Sequence, residues 1–281
     1  MTPGRSRDRP VMLRRVDITS LGYRTDLMIR VMEGSEVTDH GDHLVVRSPA
    51  SPAFWWGNFI LLAAPPPPHE AARWLARFAG QFPAADHVAL GIDATEPGAA
   101  DHSGLIEAGL RVERTTVMTA SAVKEPPRPN HDAQYRPLAG DEDWRRSLEL
   151  RLATDEGGEP GTTRAFYEQR TADARRLAEN GHGVWFGAFA GNRLVAQLGV
   201  FSDGSGLARY QNVETHPAWR RKGLAGTLVW RAGRYAAEQL GAHTLVIVAD
   251  PRGDAIRVYR SAGFSEAEAQ IAFERPSPAA S

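Results

Sequence analysis

The chain has 281 residues, enough for two ordinary domains, and its 42% hydrophobic and 24% charged composition is typical of a globular protein. Its formal net charge of -1 provides no overall field for nucleic acid or an anionic membrane, and the absence of cysteine excludes disulfides, thiolate metal sites and a cysteine nucleophile. The first ten residues lack an apolar segment, and no apolar run is long enough to cross a bilayer. We therefore expect no signal peptide, no membrane span and a cytoplasmic location.

The first 120 residues predict alternating helices and strands. Apolar residues recur at helical spacing in some stretches and form short continuous runs in others. In chain order these are a helix at 17–33, a strand beginning at 44, a strand at 54–62, a helix at 69–82, a strand at 87–92, a short helix at 103–109 and a strand at 110–120. This alternation indicates an α/β domain.

The segment SAVKEPPRPNHD, at 121–132, is polar and rich in proline, as is typical of a linker. We therefore predict a first domain at 11–122, a linker at 123–132 and a second domain at 133–275. The second domain has these predicted elements: a helix at 141–153 capped by Asp141, a helix at 163–180, a hairpin at 184–190 and 193–202, a strand that Pro217 ends, a helix from Gly223 and a strand at 244–248.

A basic loop separates the strand before Pro217 from the helix that follows. It contains Arg220, Arg221, Lys222 and Gly223. Backbone amides at a helix N-terminus have no partner within the helix and lie at the positive end of its dipole, so such a loop can bind an anion. The alternative interpretation is a surface turn with solvated arginines.

The loop and its surroundings resemble the GNAT (GCN5-related N-acetyltransferase) family. Residues Arg220–Ala225 are similar to the family's pyrophosphate loop, Arg/Gln-x-x-Gly-x-Gly/Ala, and the preceding Val213–Pro217 is similar to its Val-x-x-x-Pro strand end. Downstream, Asp254, Tyr259 and Gly263-Phe264 have the spacing of the family's Asn, Tyr and Gly-Phe, with aspartate in place of asparagine. The resemblance covers roughly the second half of the chain.

An internal repeat extends the resemblance to the first half. The triplet ending at Leu110 matches the triplet ending at Phe264, and both halves contain an apolar strand that ends in aspartate. The resemblance therefore implies an α/β fold of two tandem GNAT-like domains, each a mixed, mostly antiparallel central sheet flanked by helices. The first copy is predicted to be degenerate and to bind no CoA, because its loop at 63–68 has four prolines and Leu105 stands where the second copy has Tyr259.

The resemblance also implies a cofactor site without a metal. Acetyl-CoA would be the co-substrate, and Tyr259 would protonate the departing thiolate, because a phenol with a reference pKa of about 10 is roughly matched to a thiolate. The residues implied in acetyl-CoA binding are Val213, Thr215, Arg220, Arg221, Lys222, Gly223, Leu224, Ala225 and Asp254.

The general base is not fixed by the sequence. Some family members carry a glutamate four residues before the first strand residue whose amide meets the acyl group, here Val213, and this chain has Arg209 at that position. Side chains alternate along a strand, so we expect Glu214 to face the opposite way from Val213 and Thr215, away from the site. A water chain to solvent is a further possibility. The acceptor-side candidates are His216 and the loop carboxylates Asp155, Glu156 and Glu159. For the three carboxylates the alternative is a solvated loop.

These observations predict an acyl-CoA-dependent N-acyltransferase, with acetyl as the favoured group. It would act by direct transfer in a ternary complex on the amine of a small molecule or amino acid, with neither nucleic acid nor membrane as a partner. One alternative is a tandem acyltransferase similar to mycothiol synthase. Another is a non-catalytic acyl-CoA sensor or scaffold. The sequence does not indicate an oligomeric state.

Overall fold

The computed structural model describes residues 18–96, 100–155 and 164–276. This part of the chain contains seven α-helices and eleven β-strands. The helices are α1 (Leu21–Met32), α2 (Ala71–Gln81), α3 (Ser103–Glu107), α4 (Gly140–Thr154), α5 (Arg164–Glu179), α6 (Leu224–Gln239) and α7 (Ala255–Ser261). The strands are β1 (Glu36–Asp39), β2 (His43–Arg47), β3 (Phe59–Leu62), β4 (His87–Ile92), β5 (Arg111–Ala120), β6 (Gln134–Pro137), β7 (Gly183–Ala190), β8 (Arg193–Phe201), β9 (Leu207–Thr215), β10 (Thr244–Ala249) and β11 (Ser265–Pro276).

All eleven strands belong to one sheet. Their order across it is β1-β2-β3-β4-β11-β5-β10-β9-β8-β7-β6. The pairs β3–β4 and β9–β10 are parallel, and the other pairs are antiparallel. The predicted fold class, α/β with mixed and mostly antiparallel sheets, is confirmed. No helix in the described parts of the chain has the length and hydropathy needed to cross a membrane.

The two halves repeat the same series of elements. Each half has an antiparallel pair of strands, then a parallel pair joined by a helix, then a short helix and a final long strand. Gly109 and Gly263 end the two short helices with positive φ angles of 84° and 98°, which glycine adopts without steric cost. The predicted tandem arrangement is therefore confirmed.

The final strands of the two halves are exchanged. Strand β11, from the end of the chain, pairs with β4 of the first half through Ile271↔Ile92, while β5 pairs with β10 of the second half through Leu245↔Ala120. The sequence did not predict β11. Its Ile271 and Phe273 are fully buried in the first half's core, where each stabilises the fold by about 1.5–3 kcal/mol. The domain boundaries given above remain a prediction, but residues 265–276 complete the sheet of the first half.

The predicted strand at 54–62 is correct only in its second part. Residues Trp55–Gly57 form a 3-10 turn, and the strand begins at Phe59. The buried side chain of Asn58 holds this turn. It accepts a hydrogen bond from the Ser48 amide at 3.0 Å and donates to the Phe54 carbonyl at 3.0 Å. These local bonds compete with an extended backbone.

Asp141 does not cap α4, contrary to the prediction. The N-cap is Ala139, whose amide donates to the Asp143 carboxylate at 2.9 Å, so the acceptor comes from within the first turn. Asp141 instead forms an exposed ion pair with Arg175.

The segment at 121–132 packs against the second half. The Lys124 amide donates to the Ala262 carbonyl at 2.9 Å, and the Asn130 amide donates to Thr227 Oγ1 at 2.9 Å. The Asn130 side chain also donates to the Lys222 carbonyl at 2.9 Å. The predicted linker therefore anchors the basic loop that precedes α6.

Candidate active site

A cavity of about 790 Å³, the main cavity, opens where β9 and β10 separate. The two strands pair only as far as Arg209↔Val246, so the end of β9 has no neighbour on that side. Helices α4, α5, α6 and α7 contribute the other walls. The lining residues on which the site depends are Arg151, Asp155, Val213, Glu214, Thr215, Arg220, Arg221, Gly223, Leu224, Ala225, Asp254 and Tyr259.

The open edge of β9 presents two backbone amides. The His216 amide donates to the Val195 carbonyl of β8 at 2.9 Å. Because neighbouring residues of a strand direct their amides to opposite edges, the Val213 and Thr215 amides point away from β8, toward the gap. Asn212, with a φ of 46°, forms a bulge just before them. These two amides are the predicted hydrogen-bond partners of the acyl carbonyl and the pantetheine chain of acetyl-CoA.

The basic loop has the geometry of an anion site at the start of α6. Arg221 and Gly223 have positive φ angles of 62° and 78°, and the helix begins at Leu224. The Thr227 amide is bonded to the Gly223 carbonyl at 3.1 Å, so the amides of 224–226 precede the first intrahelical bond. All three residues line the main cavity, at the positive end of the helix dipole. This geometry suits a pyrophosphate.

The structure brings two of the three predicted basic side chains to the main cavity. Arg220 and Arg221 line it. The Lys222 ammonium instead lies 4.3 Å from the centre of the Trp219 ring, outside the lining. Lys222 supports the loop through its carbonyl, which is bonded to Asn130.

Tyr259 lies on α7 with its ring buried and 5% of its surface exposed. It packs edge-on against Phe264 and lines the main cavity. No residue in the described part of the chain is hydrogen-bonded to its hydroxyl. Burial raises the pKa of Tyr259, so the phenol keeps its proton at neutral pH, as a proton donor must. The same increase makes the pKa of the phenol less similar to that of a thiolate than the sequence alone suggests.

The other predicted site residues lie at different depths. Asp254 precedes α7 at the rim of the main cavity, with its carboxylate 97% exposed, and Asp155 lines the cavity just after α4. Glu156 and Glu159 lie outside the described residues. His216 lines a separate depression of about 500 Å³, where its Nε2 is 2.7 Å from the Arg193 guanidinium. Burial, with added repulsion from Arg193 and Arg220, lowers its pKa.

Glu214 lines the main cavity, contrary to the expectation that it faces away. Glu214 and Val213 are neighbours in β9, so their side chains do lie on opposite faces of the strand. However, the cavity lies at the open edge of β9, and Val213, Glu214 and Thr215 all line it. One Glu214 oxygen accepts a hydrogen bond from Gln197 at 2.6 Å, and the other lies 3.3 Å from Nε of Arg151. Gln197 is in turn held by Ser147 Oγ at 2.6 Å. The carboxylate is therefore fixed in place.

Sequence reasoning missed Arg151 altogether, although one signal was present. Trp144, Ser147 and Arg151 recur at spacings of three and four residues along α4, which is the period of a buried helix face. A charged residue in such a stripe needs a partner or a function. Arg151 is 4% exposed and lies beside Glu214.

Arg209, which occupies the position of the family's strand glutamate, ties the two halves together. Its guanidinium pairs with Asp26 of α1 at 2.8 Å and donates to Thr25 Oγ1 at 2.7 Å. The residue is 7% exposed. Its role is therefore in packing between α1 and β9.

The corresponding loop of the first half is closed by packing. A side chain at Gly104 of α3 would come within 2.0 Å of the Pro68 carbonyl, so α3 lies directly on the proline-rich loop. Leu105, in the place of Tyr259, is 2% exposed. Neither half, in the described residues, contains a cluster of three His, Asp or Glu side chains suited to a metal ion.

Comparisons with known proteins agree with this geometry. Residues 142–264 match the sequence profile of the acetyltransferase (GNAT) family. A GCN5-related N-acetyltransferase from Kribbella flavida has a similar structure, with a TM-score of 0.65, 18% identity and coverage of 92% of this chain and 97% of that chain. A tandem GNAT protein from the clavulanic acid biosynthesis pathway gives a TM-score of 0.56, with 15% identity and 94% coverage of both chains.

A functionally unknown conserved protein from Staphylococcus epidermidis ATCC 12228 also has this fold. Its TM-score is 0.70 at 11% identity, covering 87% of this chain and 95% of that chain. No curated protein matches the sequence. At such low identities the structural likeness establishes the fold, and the profile match supplies the family. Residues 142–264 therefore form an acetyltransferase domain of the GNAT family, within a chain that carries the fold twice.

Proposed function

We propose that this protein transfers an acetyl group from acetyl-CoA to the amine of a small molecule or amino acid, directly and in a ternary complex. The proposal depends chiefly on the main cavity, which combines the open edge of β9, the N-terminus of α6 and the hydroxyl of Tyr259 in one space. Amides at a strand edge can polarise a thioester carbonyl, and those at a helix N-terminus can hold a pyrophosphate.

The bond changes follow from these positions. The neutral amine attacks the thioester carbon, while the Val213 amide stabilises the negative charge that develops on the carbonyl oxygen. The carbon–sulfur bond then breaks, and the leaving thiolate takes the proton of Tyr259. The amine gives up one proton to a base or to solvent and Tyr259 regains one from solvent, so the products are CoA and an N-acetylated amine.

We infer that Glu214 is the general base that accepts the proton lost by the amine. It is an acid of the main cavity that the protein holds rigidly, through Gln197 and Arg151. An alkyl ammonium has a pKa of about 10.4, so its neutralisation at pH 7 costs about 4–5 kcal/mol, whereas an α-amine costs about 1 kcal/mol. An amine of lower pKa therefore needs less help from this carboxylate.

Acetyl-CoA binding is tested by a matched pair of substitutions in α6. Ala225 lines the main cavity at the helix start, and Ala237 is exposed near the helix end. Ala225→Glu places a carboxylate against the pyrophosphate site and should weaken binding at least about 10-fold, because like charges repel strongly at short range. Ala237→Glu adds the same charge elsewhere and should leave the affinity within about twofold.

The measurement is calorimetric titration with acetyl-CoA, followed by a thiol-release assay with a panel of amines. Equal affinities for the two variants would contradict the assignment of the loop. Binding of acetyl-CoA without turnover of any amine would favour the sensor or scaffold alternative.

A further inference from the structure

A second space of about 210 Å³, the inner chamber, adjoins the main cavity. Arg151, Phe166, Tyr167 and Asn212 line both spaces. The far wall of the inner chamber comes from the first half of the chain, through residues of α1 and Phe54. The inner chamber is therefore built by both halves.

Arg151 lies where the main cavity meets the inner chamber, and its guanidinium has hydrogen-bond donors for which the described residues provide no acceptor. It is 4% exposed, and Nε lies 3.3 Å from Glu214 without hydrogen-bond geometry. None of its guanidinium nitrogens donates a hydrogen bond to another residue of the described chain. The group lies 5.3 Å from the centre of the Trp185 ring. Buried guanidinium donors are costly to leave unsatisfied, so this group is suited to a further acceptor.

Two more guanidinium groups face the inner chamber. Arg30 is 6% exposed, and its Nη1 lacks a hydrogen-bond partner although Glu33 Oε2 lies 2.7 Å away. Arg170 donates to both oxygens of Glu33, at 2.6 and 3.0 Å. Both guanidinium carbons also lie close to the centre of the Phe54 ring, at 4.8 Å for Arg30 and 4.7 Å for Arg170. Burial, followed by repulsion from Arg170, lowers the pKa of Arg30 to about 10.

The charges of the lining are unequal. Among the described residues that line the inner chamber, Glu33 is the one carboxylate, and it is shared by Arg30 and Arg170. Arg170 also pairs with Asp173, which is outside the lining. Glu214 likewise lies beside Arg151 from outside the lining, so the three guanidinium groups have three carboxylates near them. What the inner chamber offers an acceptor is the unsatisfied donors of Arg151 and Arg30. Guanidinium groups prefer carboxylates, which they can bind with two parallel hydrogen bonds.

We propose that the inner chamber binds a carboxylate of the acceptor, so that the substrates are amino acids and related amino-carboxylic acids. The carboxylate would lie at Arg151 and Arg30, and the amine would lie at Glu214, toward the acetyl group. The adjacent Arg151 and Glu214 then match the two charges of a zwitterion. This inference rests on the proposed acetyl transfer, and it gives the first half of the chain a part in acceptor selection.

The test compares acids with their own amides as acceptors. The pairs are glycine, β-alanine, γ-aminobutyrate and L-phenylalanine, each with its carboxamide, in a thiol-release assay. An amide keeps the amine and loses the negative charge. We expect at least one acid to exceed its amide in kcat/KM by about 10–100-fold, the value of a charge-assisted hydrogen bond. Amides that equal or exceed their acids throughout would overturn the proposal and leave acetyl transfer intact.

Arg151→Lys separates recognition from structure. The lysine keeps the charge beside Glu214 and loses the planar fork, so KM for the preferred acid should rise about 10-fold while KM for acetyl-CoA stays constant. Arg175→Lys, at a half-buried ion-paired arginine of α5 outside both spaces, is the control and should change neither value. Should Arg151→Lys fail to fold, Arg30→Lys and the acid-to-amide ratio of the wild type test the same point.

A binding measurement distinguishes the two proposals. Calorimetric titration of the wild type and of Arg151→Lys with L-phenylalanine or γ-aminobutyrate, at saturating CoA, needs no turnover. Binding that depends on Arg151, without acetylation of any acceptor, would support the inner chamber and refute the proposed function. Absence of both binding and transfer would overturn the inner-chamber proposal as well.

Discussion

Replacing Tyr259 with phenylalanine removes one oxygen from the wall of the main cavity. The ring is 5% exposed and packs on Phe264, and these contacts remain in the variant. The described residues offer the hydroxyl no hydrogen bond, so its removal leaves no donor or acceptor unsatisfied. We therefore expect the free energy of unfolding at neutral pH to change by less than about 1 kcal/mol.

The expected effect on turnover is much larger. If Tyr259 protonates the leaving thiolate, its loss should lower kcat by about 10²–10⁴-fold, the usual contribution of a positioned acid. That range corresponds to about 3–5.5 kcal/mol in the activation barrier. The affinity for acetyl-CoA should stay within about twofold, because the amides of β9 and α6 bind it instead.

The assay combines thiol release under saturating acetyl-CoA with calorimetric titration of both proteins and a urea unfolding curve. A proton-donating role for Tyr259 requires a large loss of kcat with unchanged binding and stability. Equal turnover of the wild type and Tyr259→Phe would make Tyr259 a packing residue. A loss of kcat accompanied by a loss of several kcal/mol in stability would point to a structural effect instead.

Two further predictions concern cofactor stoichiometry and alkaline stability. We expect one acetyl-CoA per chain, because α3 packs on the first half's loop through Gly104 and Leu105 replaces the phenol. A calorimetric stoichiometry near two, or binding that survives Ala225→Glu, would contradict this. Burial raises the pKa values of Tyr23, Tyr210 and Tyr259 above the unfolded value of about 10. Their contribution to stability is therefore complete below pH 10 and is lost as the pH rises further, by about 1.4 kcal/mol per pH unit for each tyrosine. Urea unfolding between pH 8 and about pH 11 should show this decline, with a smaller slope in Tyr259→Phe. A free energy of unfolding that stays constant over that range would show that these phenols are not buried as described.

The local features of this protein could be predicted from its sequence. The glycine and arginine pattern at 220–225 and the proline at 217 predicted the loop and the end of the strand, and the spacing from Asp254 to Phe264 matched the family's motif. Such features depend on neighbouring residues, through backbone angles and hydrogen bonds over a few positions. The repeat was visible for the same reason, since each half encodes the same series of elements.

The pairing of the strands and the lining of the site depend instead on the tertiary fold. Strand β11 has an alternating pattern that many partners could satisfy, and its place between β4 and β5 depends on exchange between the halves. Glu214 reaches the main cavity because β9 and β10 separate beyond Arg209, which strand parity cannot reveal. The meeting of Arg30 and Arg151, 121 positions apart, likewise depends on how the halves pack. Such contacts are set by the balance of burial and pairing over the whole fold, and no local pattern contains it.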